Sequence, residues 1–468
     1  MKVILISLDT LCASHVSCYG HPFETTPCID RWAEEAVVFE RCYASDVPTP
    51  PSYTAMLSGR FGIHNGIFGF QDPWTYRPGP PLLQEHLGRA GWETCAISNL
   101  FYVCPWLQGG WRTIMPPGLR FQGGRAPDVT DDAIGWLEFN RAAEDAFLFV
   151  HYWEPHCPYN KAPEEDRRLF LTEDYEDFAP SLDILNGNPI MKRYSEGWHD
   201  IDGGDPQMSS AEAMARYDAQ THFGDREVGR LLDYLEESGQ AEETAVIITS
   251  DHGEAFGEYG SFDHHTCYEC ISHVPLMVRL PGGESGGRRV EGLVYGADLT
   301  PTVLELAGMD RPELDGRSLV PCLTEGRPAP HDFIVTDCNA LVTQRMLVKE
   351  NWGLVRTYFA GPFEHIEPVE LFDVTGDPER NLAAEHPAVV ADLRALLDDW
   401  LVDKLDGLPD RLQKAGLEGG WTLNSPPFLT AVLANLDYAR QNEQLWEILC
   451  HKHGPSFGRL TGIMERIE

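Results

Sequence analysis

The sequence predicts an α/β fold: a mainly parallel or mixed central sheet with helices on both faces, then a smaller C-terminal α+β subdomain and a helical tail. Three observations predict it. Short β-rich apolar runs alternate with segments of helical spacing through roughly the first 300 residues. Two of those runs end directly on a carboxylate, Asp9 and Asp251, where strand ends of a parallel sheet build sites. After about Pro330 the text changes to closely spaced strand-like stretches followed by one long helix.

Taken in order, Val3 to Leu8, Thr94 to Ile97, Ala146 to Val150, Ala245 to Ile248 and Val274 to Val278 read as strands. Between them, Ile29 to Ala36, Pro81 to Ala90, Asp128 to Asn140 and Ala211 to Ser238 carry helix spacing. This alternation places residues 1–330 in one catalytic unit. Acidic, Gly- and Pro-rich text at about 160–210, including Glu164-Glu165-Asp166 and Asp202-Gly203-Gly204-Asp205, reads as an insertion near the site. A second unit over 331–406 has strand-like stretches around Phe333 to Val335, Met346 to Val348 and Gly353 to Tyr358, then the helix Pro387 to Leu401. The tail, 407–468, has helix patterns at Pro427 to Arg440 and Asn442 to His451 and reads as a cap or a homo-oligomer contact.

Charge narrows the partners: 36 Lys and Arg against 73 Asp and Glu leave a net charge of −37. Nucleic acid and an anionic membrane are therefore excluded as partners, and an anionic substrate has to be attracted by a local cation and a few basic groups. High-salt adaptation and ordinary solubility fit such a surface equally well. The first nine residues read as a buried strand and not as a secretory leader, and no apolar stretch approaches about 18 residues, so the chain reads as soluble and cytoplasmic. Its 12 Cys are then free thiols. Cys267 and Cys270 form a CxxC without a second pair, which favours packing over a zinc knuckle.

Asp9, and Asp251-His252-Gly253 after Val246 to Ser250, supply two carboxylates and an imidazole at strand ends, a donor set that suits one divalent cation. Each alone has a plainer reading, a helix cap for the Asp and a turn for the triplet.

In combination the chain resembles the sulfatase family of the alkaline phosphatase superfamily. Leu5 to Leu11, Cys18-Tyr19-Gly20, Thr25 to Asp30 and Val38-Phe39-Glu40 look like that family's opening, and Thr49 to Arg60 like its nucleophile motif. His151 to Tyr159, Ser250 to Glu254, Tyr268-Glu269, Asp298 to Gly308, Asp315 to Leu319 and Glu370 to Pro378 follow in the family's order, so the resemblance covers roughly residues 1–400. It implies an alkaline phosphatase-like fold and a metal-dependent hydrolase of a small anionic ester, with Asp9, Thr49, Asp251 and His252 as ligands and Thr49 as nucleophile. A His among oxygen donors shifts the choice of ion toward manganese or zinc, with calcium still open.

Two departures bear on the chemistry. Family sulfatases carry Cys or Ser at the position of Thr49, matured to formylglycine, and Arg at the position of Tyr53. The β-methyl of Thr49 forbids that aldehyde, so a sulfated Thr49 has no hemiacetal exit, whereas a phosphorylated Thr49 is open to in-line water. Losing the Arg charge suits a singly charged phosphodiester or phosphonate monoester. Thr10 stands where relatives place a further ligand. His156 takes the position of the family's substrate-binding His, and His264 stands near that of its Lys; both are candidates for anion binding and proton transfer. Tyr53, Asn65 and Asn99 are further candidates for lining the substrate. A rival arrangement has His156, His264 and Glu154 holding a second metal. Alternatives to phosphoryl ester hydrolysis are sulfuric ester hydrolysis, phosphotransfer, and a non-catalytic binding protein on the same fold.

Overall fold

The computed structural model describes residues 1–69, 76–118, 124–180, 187–193, 209–375, 380–419, 426–441, 445–447 and 449. In chain order its strands are β1 (Lys2–Leu8), β2 (Val37–Tyr43), β3 (Asp46–Val47), β4 (Glu93–Ile97), β5 (Thr113–Met115), β6 (Ala146–Tyr152) and β7 (Thr244–Thr249). There follow β8 (Ala255–Phe256), β9 (Phe262–Asp263), β10 (His273–Arg279), β11 (Arg288–Tyr295), β12 (Ile334–Asn339), β13 (Thr343–Lys349), β14 (Trp352–Phe359) and β15 (Val369–Asp373). Eight of them form one sheet in the order β11-β2-β10-β7-β1-β6-β4-β5. The five strands the sequence predicts are all in it.

Its centre is parallel: β1 pairs in parallel with both β6 and β7. Only β10 runs against its neighbours, β2 and β7. The cause is the connection, since β7 and β10 are joined by a loop with the short pair β8 and β9 in place of the crossover helix that a parallel return requires. Side chains of β1 alternate between two cores, Ile4, Ile6 and Leu8 on one face, Val3 and Leu5 on the other. Both faces are thus covered, which is why these strands read as unbroken apolar text. The long helix Ser210–Glu237 packs on the first face, capped by Ser209, whose side chain accepts from Glu212 N–H.

A second sheet, β15-β14-β13-β12-β3, recruits β3 from the N-terminal part of the chain. β3 leads straight into α1 (Thr49–Ser58), so this sheet anchors the start of that helix. The helix Pro387–Leu405 covers the sheet through Leu393 and Leu397.

In the insertion, helices Glu164–Phe170 and Asp174–Phe178 are present, while its residues 181–186 and 194–208 lie outside the described set. The tail helix predicted over Pro427 to Arg440 is instead two, Pro426–Ala434 and Leu436–Gln441. Asn435 separates them; its amide donates to Pro189 O and Ala431 O, a competing use of backbone acceptors that ends the first helix. Most of the expected helix Asn442 to His451 lies outside the described residues. All described cysteines are free thiols, and no described helix is long and apolar enough to cross a membrane.

Candidate active site

Three chain segments meet at the carboxyl ends of β1, β6 and β7. Asp9 follows β1, and its N–H donates to Tyr152 O (2.9 Å), which extends the β1/β6 pairing by one residue. Thr10 next to it is left-handed, φ 61°, an expensive conformation for a β-branched residue. That turn aims Thr10 N–H at Asp251 Oδ1 (3.1 Å) and so ties the β1 and β7 loops together. Gly253 allows close approach: a Cβ there would stand 2.3 Å from Cys270 O and 2.9 Å from Cys12 Sγ.

Thr49 opens α1, whose ten residues are all buried. Pro50 and Pro51 occupy its first turn, where a missing N–H costs nothing, and Gly59 ends it in the left-handed conformation, φ 65°. Ser52 Oγ donates to Asp251 O (2.7 Å), locking the helix start to the β7 loop. His252 Nδ1 donates to Gly253 O (2.9 Å), so the neutral ring keeps its lone pair on Nε2. That nitrogen accepts the Thr49 hydroxyl at 3.0 Å.

Asp9, Asp251 and His252 each present a ligand atom, all within 4.8 Å of one another and all buried. Asp9 Oδ1 and Asp251 Oδ2 have no hydrogen-bond partner among the described residues. Burial first, and then the negative charges of Asp251 and Glu254, push the Asp9 carboxyl well above its ordinary range; burial likewise raises Asp251. Two carboxylates forced together in a dry site with orphaned oxygens fit a divalent cation held by Asp9, Asp251 and His252, with the Thr49 oxygen at the same corner.

Asp9 has a supporting residue that the sequence reading did not single out. His151 Nε2 donates to Asp9 Oδ2 (3.0 Å) and Ser98 Oγ donates to His151 Nδ1 (2.8 Å). Burial, with His156 and Lys161 nearby, lowers the His151 pKa to about 3, so it stays neutral and donates through Nε2. A histidine directly after the apolar run Ala146 to Val150 was visible, yet only the pairing of β6 with β1 brings it to Asp9.

The remaining candidates divide. His156 and His264 lie together, ring centroids 5.1 Å apart, and His264 is 4.7 Å from His252. His156 Nδ1 donates to Cys157 O (2.7 Å), and burial holds its pKa down at about 3. His264 Nδ1 meets Glu254 Oε1 at 2.9 Å. Burial pushes the Glu254 carboxyl well up and the His264 imidazole well down. Glu154 does not join the two histidines. Its Oε1 accepts Ala126 N–H at the start of helix Ala126–Phe139, and Glu254 stands beside His264 in its place.

Tyr53 is fully buried, its hydroxyl paired with Ser7 Oγ (2.9 Å) and its ring 5.1 Å from His151. It therefore packs beneath Asp9 as a floor and offers no hydroxyl to a substrate. Asn65 is committed to the turn after α1, donating to Arg60 O and accepting from Ile67 N–H, so it does not line the site. Asn99 follows β4 beside Ser98 and donates to Pro117 O. A second buried donor cluster, His15, His21 and Asp218, lies elsewhere. There both histidines bond the carboxylate directly, and Tyr175 adds its hydroxyl, which makes an internal ion-pair knot.

A doubly covered α/β sheet with paired carboxylates, imidazole and hydroxyl at its strand ends defines a hydrolase of anionic esters in the alkaline phosphatase superfamily. A sequence model of the sulfatase family, "Sulfatase", matches residues 2–309, and the chain belongs to that family. A second model, "N-sulphoglucosamine sulphohydrolase, C-terminal", matches residues 257–404. The chain is similar to the N-acetylglucosamine-6-O-sulfatase of Bacteroides thetaiotaomicron, 25% identical over 89% of each chain. It is 30% identical to the multifunctional alkaline phosphatase superfamily protein PehA of Trinickia caryophylli, over 61% of this chain and 58% of that one. The solved phosphonate monoester hydrolase of Agrobacterium radiobacter shares the fold, with TM-score 0.69 at 20% identity over 86% of this chain and 96% of that one. Sulfatase-family members are metal-dependent, and Asp9, Asp251 and His252 form a candidate metal-binding group in this chain.

Proposed function

We propose that the chain hydrolyses a phosphodiester or phosphonate monoester through a covalent Thr49 intermediate. The observation that carries this reading is the Thr49 hydroxyl at 3.0 Å from His252 Nε2, beside the orphaned oxygens of Asp9 and Asp251, on a side chain whose methyl group prevents formylglycine. A divalent ion bound by Asp9, Asp251 and His252, manganese or zinc by donor type, supplies the charge that lowers the hydroxyl pKa and offsets charge building on the ester.

The two histidines divide proton transfer by tautomer. With Glu254 protonated and donating a hydrogen bond to Nδ1, His264 keeps an Nε2–H for the leaving oxygen. His156 spends Nδ1–H on Cys157 O and keeps a lone pair on Nε2. In the first step Thr49, its hydroxyl proton lost to bulk water, bonds through Oγ1 to phosphorus, the bond to the leaving oxygen breaks, and that oxygen takes the His264 Nε2 proton as Glu254 passes its own to Nδ1. In the second step water attacks phosphorus and gives its proton to His156, the Oγ1–P bond breaks to free Thr49 and the acid, and His156 returns its proton to the neighbouring His264–Glu254 pair. The PehA likeness and the shared phosphonate monoester hydrolase fold agree with this reading, whereas the likeness to the N-acetylglucosamine-6-O-sulfatase favours a sulfuric ester.

Steady-state rates on matched aryl phosphonate, phosphodiester and sulfate esters, with manganese, zinc or calcium added after chelation, decide between them. We expect multiple turnover on the phosphorus esters, at most single turnover on the sulfate, and a fall of at least about 10³-fold in Thr49→Ala. Faster multiple turnover of the sulfate defeats the phosphoryl reading, and full activity in Thr49→Ala defeats the nucleophile.

A further inference from the structure

The position equivalent to the family's arginine is Tyr53, and its hydroxyl is turned to Ser7, so the positive charge an anionic ester needs beside the ion has to come from elsewhere. Lys161 is the residue that answers to this. Its Nζ is buried, yet it has no hydrogen-bond partner and no ion pair among the described residues. A buried ammonium with three unused donors is costly unless an anion occupies the space in front of it.

The side chain belongs to the same loop as His156, and Gln220 of the long helix fixes both ends of that loop. Gln220 Oε1 accepts Lys161 N–H (2.8 Å), and Gln220 Nε2 donates to Pro155 O and His156 O, each at 3.0 Å. Arg125 Nη2 donates to Lys161 O (3.3 Å) from the other side. With its backbone clamped beside His156, the buried ammonium is held next to the candidate active site, near enough for its charge to oppose protonation of His151 and His156 in addition to the larger effect of burial.

We propose that Lys161 is an anion-binding residue of the active site, its ammonium donating to a non-esterified oxygen of the bound phosphonate, phosphate or sulfate group. The proposal rests on the ester-hydrolase reading above and adds the group that replaces the missing guanidinium. A compact ammonium supplies one charge and no bidentate fork, which matches an ester carrying one negative charge better than a dianion.

The test is direct anion binding, separate from turnover. Inorganic phosphate is titrated by calorimetry into chelator-treated Thr49→Ala protein that carries Lys161, Lys161→Arg, Lys161→Met or Lys161→Gln. Lys161→Met and Lys161→Gln are expected to weaken phosphate by about 10- to 100-fold, the range of one hydrogen bond to a charged group. Lys161→Arg should stay within about threefold, with the urea midpoint of every variant close to the parent. Equal phosphate affinity across all four proteins overturns the assignment, as does Lys161→Arg binding as poorly as Lys161→Met. If Lys161→Met does not fold, the Gln and Arg pair carries the same comparison. Because the readout is binding, loss in Met with retention in Arg supports Lys161 even where sulfate esters turn over faster; that result would sink only the phosphoryl reading.

Discussion

Among the described residues, His151→Phe removes the one donor that holds Asp9 Oδ2, and it keeps a planar ring between Phe149 and Trp153, whose centroids lie 5.9 Å and 4.7 Å from the His151 ring. The other oxygen, Oδ1, has no partner among those residues, so in the variant the carboxylate side chain loses its support there. A hydrogen bond to a charged group contributes about 1.5–3 kcal/mol, which at about 1.4 kcal/mol per decade is roughly 10- to 100-fold in ion affinity. The same range is typical for removing a partner that orients a metal ligand. Ser98→Ala acts one bond further out, through a neutral hydroxyl, and should cost about 0.5–1.5 kcal/mol, or roughly 2- to 13-fold. The assay is competition with a chelator of known affinity for zinc and manganese, with circular dichroism to confirm folding. Ion affinity in His151→Phe within about twofold of wild type would refute the argument that β6 orients Asp9, and so would a larger loss in Ser98→Ala than in His151→Phe.

Proton donation by His264 predicts a leaving-group signature: His264→Ala should lose about 10²–10⁴-fold on alkyl esters and far less on esters of acidic phenols, which an equal loss across a leaving-group series would contradict. Away from the site, burial raises Asp218 but His15 and His21 outweigh it and lower its pKa from 3.8 to about 2. A depressed carboxylate stabilises the fold fully above pH 3.8 and loses that contribution as pH falls toward 2, about 2–3 kcal/mol at this shift. Its partner His15 is raised: burial works against it, but Asp218 wins, so its contribution is complete below pH 6.5 and fades as pH rises through the folded pKa. Asp218→Asn should therefore destabilise by about 3–5 kcal/mol near pH 5–6 and flatten the acid limb of a urea-midpoint profile; an unchanged limb would remove the pair as its cause. Gly253→Ala forces a Cβ against Cys270 O and Cys12 Sγ and should cost about 1–3 kcal/mol by urea denaturation, against a gain of about 0.5–1 kcal/mol for Gly135→Ala at an open position inside the helix Ala126–Phe139.

The sequence alone determined the parts whose physics is local or nearly so. Apolar runs marked β1, β4, β6, β7 and β10 because a sheet covered on both faces tolerates no polar alternation, and a carboxylate directly after such a run has to lie at a strand end. Thr49 announced its own chemistry, since a β-methyl is a property of one residue. Helix spacing likewise located Ser210–Glu237 to within a residue of the expected span. Tertiary structure decided everything that depends on which strand lies beside which. Only the β1/β6 register brings His151 to Asp9, across 142 residues of chain. Two glutamates follow strand ends, but the turn after β6 sends Glu154 to a helix N-terminus, and the turn after β7 sends Glu254 to His264. Tyr53 and Asn65 looked like lining residues by motif position; α1 is buried along its whole length, so Tyr53 is spent on Ser7, and Asn65, at the end of the next short helix, is spent on Arg60 and Ile67. Lys161 carried no signal in an acidic insertion, because only folding decides that its Nζ is buried without a hydrogen-bond partner among the described residues. Sequence spacing encodes faces and ends of single elements, whereas convergence across a sheet is set by pairing free energy summed over the whole chain.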